Sequence, residues 1–554
     1  MTMGDHKTAT PTVGEALVEE LAARGVQHVF GIPGVHTVEL YRGLGKSDLR
    51  HITPRHEQGA GFMADGYARV SGRPGVAFVI TGPGLTNTLT PMAQARADSV
   101  PMLVVSGVNE SGSLGQGMGH LHELPDQHAL AKMVALRSEH VAAPQQLTPA
   151  LDQAFAPIAG AALSRPGPTH VQIPLDIAGV AAEEDTGQET IPTDEQGRGR
   201  VSPADLAALM QRLTAAERPV ILAGGGARFC ADQVRQLAEY LGAPVVQTVN
   251  ARGVMFDHPL SVPASPSLGS VRKLIEAADL VLALGTELGP TDYDMYATGT
   301  MPQMPGLIRV DLCSDQLARH RAELAIQDDV AAVLSAVLAE WKPDVHSPTD
   351  WGIGLAEQTR TAAWDEIGES YRAQVTVLKA LRAAVPGAIV VGDSAQPIYA
   401  GNLYYDHDRP GGWFNAATGY GALGYGIPAA IGAAVAAPEA PVICITGDGG
   451  AQFSLPEIMT AVDEALPITF IVWNNHGYQE IARSMQDVGV PVVGCDPTPP
   501  DFAATARSFG ISHRAVSADP QEVAAAVKSA ATETGPRMIE ITTPKFLPTL
   551  ATKD

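Results

Sequence analysis

The stretch ITGDGGAQF (445–453) ends an apolar run at Gly-Asp-Gly, and WNNHGYQEI (473–481) ends another at Asn-Asn-x-Gly. Short apolar runs bounded by glycine read as strands covered on both faces, the kind that fill parallel sheets. Asp448 and Asn475 lie 27 residues apart, room for one helix (SLPEIMTAVDEAL) and one return strand. Two neighbouring parallel strands therefore end side by side, one offering a carboxylate and the other an amide oxygen. Open α/β sheets bind their ligands at that carboxyl edge. Gly449 and Gly450 let backbone N–H groups approach a ligand closely. A hard octahedral cation such as Mg²⁺ takes one or two protein ligands of this type and fills its shell with phosphate oxygens and water. Alone, each residue would read as a helix cap or a turn. The pair at this spacing points to a metal–diphosphate clamp.

The same alternation of strand and helix runs through all 554 residues, in three segments. Residues 10–185 open with the amphipathic VGEALVEELAARG and continue through VQHVFGIPG, GVAFVITGPG, SVPMLVVSG and THVQIPLDI. Residues 200–345 carry RPVILAGGGARF, APVVQTV, ADLVLALGTEL and GLIRVDL. Residues 360–550 carry GAIVVGD, APVICITGDGG, PITFIVWNN and PRMIEITT. Polar connectors separate them at 183–202 and 342–350. The predicted fold class is α/β, with three doubly wound parallel-sheet domains. A net charge of -23 argues against a nucleic-acid partner, which needs clustered Lys and Arg. The four cysteines, Cys230, Cys313, Cys444 and Cys495, form no CxxC pair, so neither zinc nor a disulfide framework is expected. That, a polar N-terminus without an apolar signal core, and no apolar run of about 18 residues predict a cytoplasmic protein without a membrane partner.

GDG, 24 residues, then NN resembles the signature of thiamine-diphosphate enzymes, and the resemblance extends over nearly the whole chain. The sequence is similar to the acetolactate synthase and 2-oxoacid decarboxylase superfamily. The resemblance implies a pyrimidine-binding domain at 10–185, a central domain at 200–345 and a diphosphate-binding domain at 360–550. It implies Mg²⁺ on Asp448, Asn475 and the Gly477 carbonyl, with Gly449, Gly450 and Tyr478 on the diphosphate side. PRHEQGAGFMADGYAR (54–69) resembles the stretch with the cofactor-activating glutamate, Glu57, which alone would read as a helix-start acid. TGPGLTN (81–87) matches the loop near the pyrimidine and suggests Asn87; GDSAQPIY (392–399) suggests Ser394 and Gln396 on the diphosphate. TGYGALGYGIPAAIGA (418–433) resembles the loop that keeps the cofactor bent, through the Gly421 carbonyl and the Leu423 side chain. Thiazolium C2 must lose a proton before it attacks a 2-oxo acid and takes up the electrons released with CO₂. A carboxyl group at the pyrimidine N1′ favours the tautomer whose 4′-nitrogen reaches C2. The superfamily takes Glu57 and the clamp from different subunits, which implies at least a homodimer and, beyond that, a homotetramer.

AGGGARF (223–229) lacks the third glycine of a dinucleotide fingerprint and reads as a tight turn. GTELGPTDYDMY (285–296) departs from the Arg-Phe-Asp-type sequence of flavin-binding synthases, so FAD is not expected. GIPGVHTVELYRG, HELPDQHALAK, GTELGPTDYDM and NNHGYQEI together resemble the 2-ketoarginine decarboxylases, which act on 5-guanidino-2-oxopentanoate. A guanidinium calls for a planar carboxylate fork. Glu480, on the helix after the clamp, is the first candidate, with Asp292 and Asp294 behind it. His120 and His122 in HLHE are candidate substrate-facing proton donors, with His36 and His476 as further possibilities. The alternative within the superfamily is an acetolactate-synthase-like carboligase acting on pyruvate.

Overall fold

The structure, a computed structural model, describes residues 10–158, 164–182, 201–296, 298–342, 348 and 350–544. Most of the connectors expected at 183–202 and 342–350 lie outside the described residues. The described chain forms two compact units, one of residues 10–158 with 166–182, the other of 164–165 with 201–544.

In the first unit, β1 (His28–Gly31), β2 (Arg50–Ile52), β3 (Gly75–Val79), β4 (Met102–Val108), β5 (Arg137–His140) and β6 (Pro168–Pro174) form one sheet. Its order is β2-β1-β3-β4-β6-β5, and every pairing is parallel. β3, β4 and β6 are buried along their whole lengths, which is why they read as unbroken apolar runs. The helix Val13–Ala23 turns Val13, Leu17, Val18 and Leu21 onto Val76, Phe78, Leu103 and Val105. Its first turn closes with a capping box between Thr12 and Glu15. Burying four such side chains contributes about 1.5–3 kcal/mol each.

The second unit holds two further parallel sheets of six strands. β7 (Pro219–Ala223), β8 (Val245–Gln247), β9 (Ser261–Val262), β10 (Leu280–Leu284), β11 (Ile308–Asp311) and β12 (Leu324–Gln327) run in the order β12-β11-β10-β7-β8-β9. β13 (Ile389–Gly392), β14 (Trp413–Asn415), β15 (Val442–Gly447), β16 (Ile468–Asn474), β17 (Ser512–Ser517) and β18 (Arg537–Thr542) run in the order β14-β13-β15-β16-β18-β17. The three α/β domains expected from the sequence are therefore present as three sheets with flanking helices. Arg252 links the two sheets of this unit. Its fully buried guanidinium donates to the Tyr405 carbonyl at 2.9 Å and the Asn402 carbonyl at 3.0 Å, and burial pushes its pKa down to about 10.

Between β15 and β16 the expected single helix is broken up. One turn at Asp448–Ala451 is followed by a 3₁₀ turn, Leu455–Glu457, and a short helix, Ile458–Asp463. Pro456 can begin a helical turn but cannot donate within one, so the segment restarts there.

Candidate active site

β15 and β16 pair in parallel with Gly447 opposite Trp473, so Asp448 and Asn475 leave adjacent strand tips together. β13 flanks β15 on its other side and delivers Asp393, Ser394 and Gln396. Asp448 is 1% exposed. Burial pushes its carboxyl pKa up, partly countered by the N–H groups of Asn475 and Gly477. Its Oδ2 is buried and has no hydrogen-bond partner among the described residues. Asn475 Nδ2 donates to Gln396 Oε1 at 2.9 Å. That turns Asn475 Oδ1 to within 3.0 Å of Asp448 Oδ1 and 2.8 Å of the Gly477 carbonyl. Three oxygens thus converge with no side-chain proton between them, the Asn475 main-chain N–H reaching Asp448 Oδ1 only at 3.4 Å, beside a fourth that has no partner. Such a cluster fits a cation of the hard, oxygen-seeking kind. Among the described residues no three His, Cys, Asp or Glu side chains gather as a metal site. A cation held here would draw on a carboxylate, an amide and a backbone carbonyl.

Two glycines make this geometry possible. Gly477 has φ +133°, and a Cβ there would fall 2.3 Å from the Cys495 carbonyl oxygen. A Cβ on Gly449 would fall 2.4 Å from the Tyr478 ring, which packs against that turn. Asp393, which carries no mark of its role in the sequence analysis, binds the loops together. Its carboxylate accepts from the backbone N–H groups of Ser394 (2.8 Å), Gly424 (3.3 Å) and Gly426 (2.9 Å). It thereby fastens the loop with Gly421 and Leu423 to the tip of β13. Burial raises its pKa to about 6. A signal for it is present in the sequence: Gly392-Asp393 repeats the Gly-Asp step of Gly447-Asp448 on the neighbouring strand. Gly421 adopts φ +79° in open space, and Leu423 is half-buried.

In the first unit, Glu57 begins the helix Glu57–Ser71 and Asn87 lies on the helix Pro83–Ala97. Asn87 Nδ2 donates to Glu57 Oε2 at 3.1 Å, so the two pyrimidine-side residues meet. Arg69 joins the same two helices from inside, bonding Asp65 at 2.6 Å and Asp98 at 2.7 Å. Gln127, also unmarked by the sequence, fastens the TGPG turn. Its Oε1 accepts from Thr81 Oγ1 at 2.7 Å and the Gly82 N–H at 3.0 Å.

Of the substrate-facing candidates, His120 is exposed. His122, at φ +61°, sets its ring 5.3 Å from that of His36, whose pKa burial lowers first and His122 second. Glu123 is committed to its own loop, accepting from the N–H groups of Gly117 and Gly119 at 2.7 Å and His120 at 3.0 Å. His476, at φ +64°, donates its N–H to Asn474 Oδ1. Glu480 Oε1 accepts from Gln396 Nε2 at 2.7 Å, and its second oxygen has no partner among the described residues. Asp294 is occupied by Arg272 (3.2 Å) and by the N–H groups of Thr298 and Gly299. Asp292 borders a cavity of about 390 Å³ whose other walls include Tyr399, Asn402 and Thr418. In AGGGARF the N–H groups of Gly224 and Gly226 bond the carbonyls of Leu284 and Gly285, leaving no phosphate cradle there.

Three parallel sheets with a clamp on adjacent strand tips of the third define a class, and family comparison gives the same answer. The chain matches the models for the N-terminal TPP-binding domain (11–130), the central domain (206–337) and the C-terminal TPP-binding domain (393–541) of thiamine pyrophosphate enzymes. It belongs to the thiamine pyrophosphate enzymes, and thiamine diphosphate is its cofactor. Among its relatives, the probable 2-ketoarginine decarboxylase AruI of Pseudomonas aeruginosa is 40% identical, over 91% of this chain and 89% of that protein. Sulfoacetaldehyde acetyltransferase of Alcaligenes xylosoxydans xylosoxydans is 32% identical over 87% of this chain and 84% of that protein. The acetolactate synthase isozyme 3 large subunit of Escherichia coli is 29% identical over 90% of this chain and 88% of that protein. All four cysteines are free, and no described helix is long and apolar enough to cross a membrane.

Proposed function

We propose that this enzyme catalyses the Mg²⁺-dependent, non-oxidative decarboxylation of a 2-oxo acid, with 5-guanidino-2-oxopentanoate as the substrate, releasing the aldehyde and CO₂. The observation that carries the metal assignment is the trio of Asp448 Oδ1, Asn475 Oδ1 and the Gly477 carbonyl, packed at 2.8–3.0 Å with Asp448 Oδ2 partnerless beside it. These residues would hold Mg²⁺, and Ser394, Gln396, Gly449, Gly450 and Tyr478 would surround the diphosphate.

Thiamine diphosphate, when bound, supplies the electron sink that makes loss of CO₂ from a 2-oxo acid feasible. Glu57, held on one oxygen by Asn87, keeps its other oxygen for a proton at the pyrimidine N1′. The Gly421 carbonyl and the Leu423 side chain would hold the cofactor when it is bound. His120 and His122 would hand a proton to the reacting carbon. The enzyme works as a homodimer at least, and as a homotetramer in full assembly, with Glu57 and the clamp of one site drawn from two subunits.

The guanidinium reading rests on the likeness to AruI and on two acids, Glu480 near the clamp and Asp292 at the cavity. Glu480 has one uncommitted carboxylate oxygen, and Asp292 borders the cavity next to Thr418. A panel of cationic, aromatic, branched and short 2-oxo acids, assayed for CO₂ release with Mg²⁺ and thiamine diphosphate, tests it. Preference for the guanidino acid is expected, and it should weaken against 2-oxohexanoate in Glu480→Gln. Acetoin-type products from pyruvate without CO₂ release from the guanidino acid would instead favour the carboligase reading, which the synthase relatives support.

A further inference from the structure

We propose that Glu480 sets the polarity of an amide relay that biases the metal site toward its cation-binding form; this deepens the Mg²⁺ assignment made above and rests on it. The relay starts from an elementary asymmetry: an ionised carboxylate only accepts hydrogen bonds, whereas an amide both donates and accepts and can be turned over. Glu480 Oε1 lies 2.7 Å from Gln396 Nε2, so Gln396 must point its NH₂ group at Glu480 and its carbonyl the other way. That carbonyl lies 2.9 Å from Asn475 Nδ2, so Asn475 must in turn give its NH₂ group to Gln396. Only the oxygen of Asn475 is then left to face Asp448 Oδ1 at 3.0 Å and the Gly477 carbonyl at 2.8 Å.

The alternative arrangement is chemically satisfied and metal-blocking. Turned over, the Asn475 amide would donate to both Asp448 Oδ1 and the Gly477 carbonyl. Its NH₂ group would then occupy the place where a cation's ligand oxygen is needed. Without a cation, local hydrogen bonding at the clamp favours that blocked form. The force that opposes it enters through Gln396 from Glu480, on the helix Gln479–Asp487. The three residues come from the tip of β13, the tip of β16 and the following helix, so the relay spans the width of the diphosphate side. Glu480 is a positioning residue in this role. Its second oxygen remains available to a substrate, and the two roles are separable by experiment.

Mn²⁺ affinity of the full-length protein, measured by electron paramagnetic resonance with thiamine diphosphate present, tests the relay. Glu480→Ala removes the polarity, and affinity should fall about tenfold, the equivalent of about one charged hydrogen bond. Glu480→Gln retains an acceptor for Gln396 but no longer forbids the reverse order, so its loss should be intermediate. Asn475→Asp alone should also bind weakly, because Gln396, still fixed by Glu480, presents its carbonyl oxygen to the new carboxylate. In Glu480→Ala/Asn475→Asp the freed Gln396 turns its NH₂ group to the carboxylate introduced at position 475. That carboxylate has no donor end, so its other oxygen always faces the metal site. Affinity in the double variant should exceed that of either single variant, which misfolding could not produce. Wild-type affinity in Glu480→Ala, or a double variant no better than the singles, would overturn the relay. Wild-type protein that binds no Mn²⁺ would overturn the metal assignment itself, and the relay with it.

Discussion

The burial of Asp393 predicts how the protein responds to pH. Its carboxyl pKa is raised from 3.8 to about 6 because the side chain is buried and its three backbone donors only partly offset the loss of water. At 1.36 kcal/mol per pH unit, that rise corresponds to about 3 kcal/mol. The sign follows from linkage. Below pH 3.8 the group is protonated in both folded and unfolded chains, and its stabilising contribution is complete. As pH climbs toward 6 the unfolded chain gives up its proton first, and that contribution drains away. Asp393→Asn cannot ionise, so turning an NH₂ group toward Gly424 or Gly426 costs it a fixed amount, independent of pH. The difference in stability between the two proteins should therefore move in favour of Asn by about 2.4 kcal/mol from pH 4 to pH 7. Asp448 titrates identically in both and cancels. Thermal midpoints at half-unit pH steps would report it as a shift on the order of 3 °C. A difference in midpoint that stays flat across this range would mean that Asp393 is not the buried, proton-holding fastener described here.

Gly449→Ala forces a methyl group into the Tyr478 ring, so thiamine diphosphate affinity should fall at least about tenfold by fluorescence titration. Arg252→Met strands the Tyr405 and Asn402 carbonyls, and unfolding should become easier by about 2–4 kcal/mol without a change in substrate preference. Glu57→Gln should slow C2–H exchange of bound thiamine diphosphate in D₂O at least about 100-fold by NMR. Exchange unaffected by that substitution would mean that Glu57 is not the group that activates the cofactor.

The strand runs that the sequence displays are the interior strands of the three sheets: β1, β3, β4 and β6; β7, β8, β10 and β11; β13, β15, β16 and β18. The strands it does not display are the rims, β2 and β5, β9 and β12, β14 and β17. The cause is physical. An interior strand is covered on both faces and paired on both sides, so its composition is forced toward Val, Ile and Leu. A rim strand is paired on one side only and tolerates Arg137-Ser138-Glu139-His140 or Ser512-His513-Arg514. The sequence overstates the helix between β15 and β16 because apolar spacing continues through Pro456, whereas the backbone ladder does not. At the site, Asp448, Asn475 and Gly477 are legible because their spacing is tied to one βαβ unit. Asp393, Gln127 and the bond between Glu480 and Gln396 are not. They act through contacts between segments tens of residues apart, such as Gln396 with Glu480 across 84 positions, for which a sequence has no local period.

The pairing of Gly447 with Trp473 has a mechanical consequence. Strands in a sheet sit about 4.8 Å apart and are held there by main-chain bonds that no side chain can veto. The gap between the roots of the Asp448 and Asn475 side chains is thus ruled like a lattice constant, indifferent to what grows on the surrounding loops. Loops can be rebuilt to admit a longer, shorter or differently charged acid while the anchorage keeps its gauge, so diversification in such a scaffold should leave these two strand ends untouched.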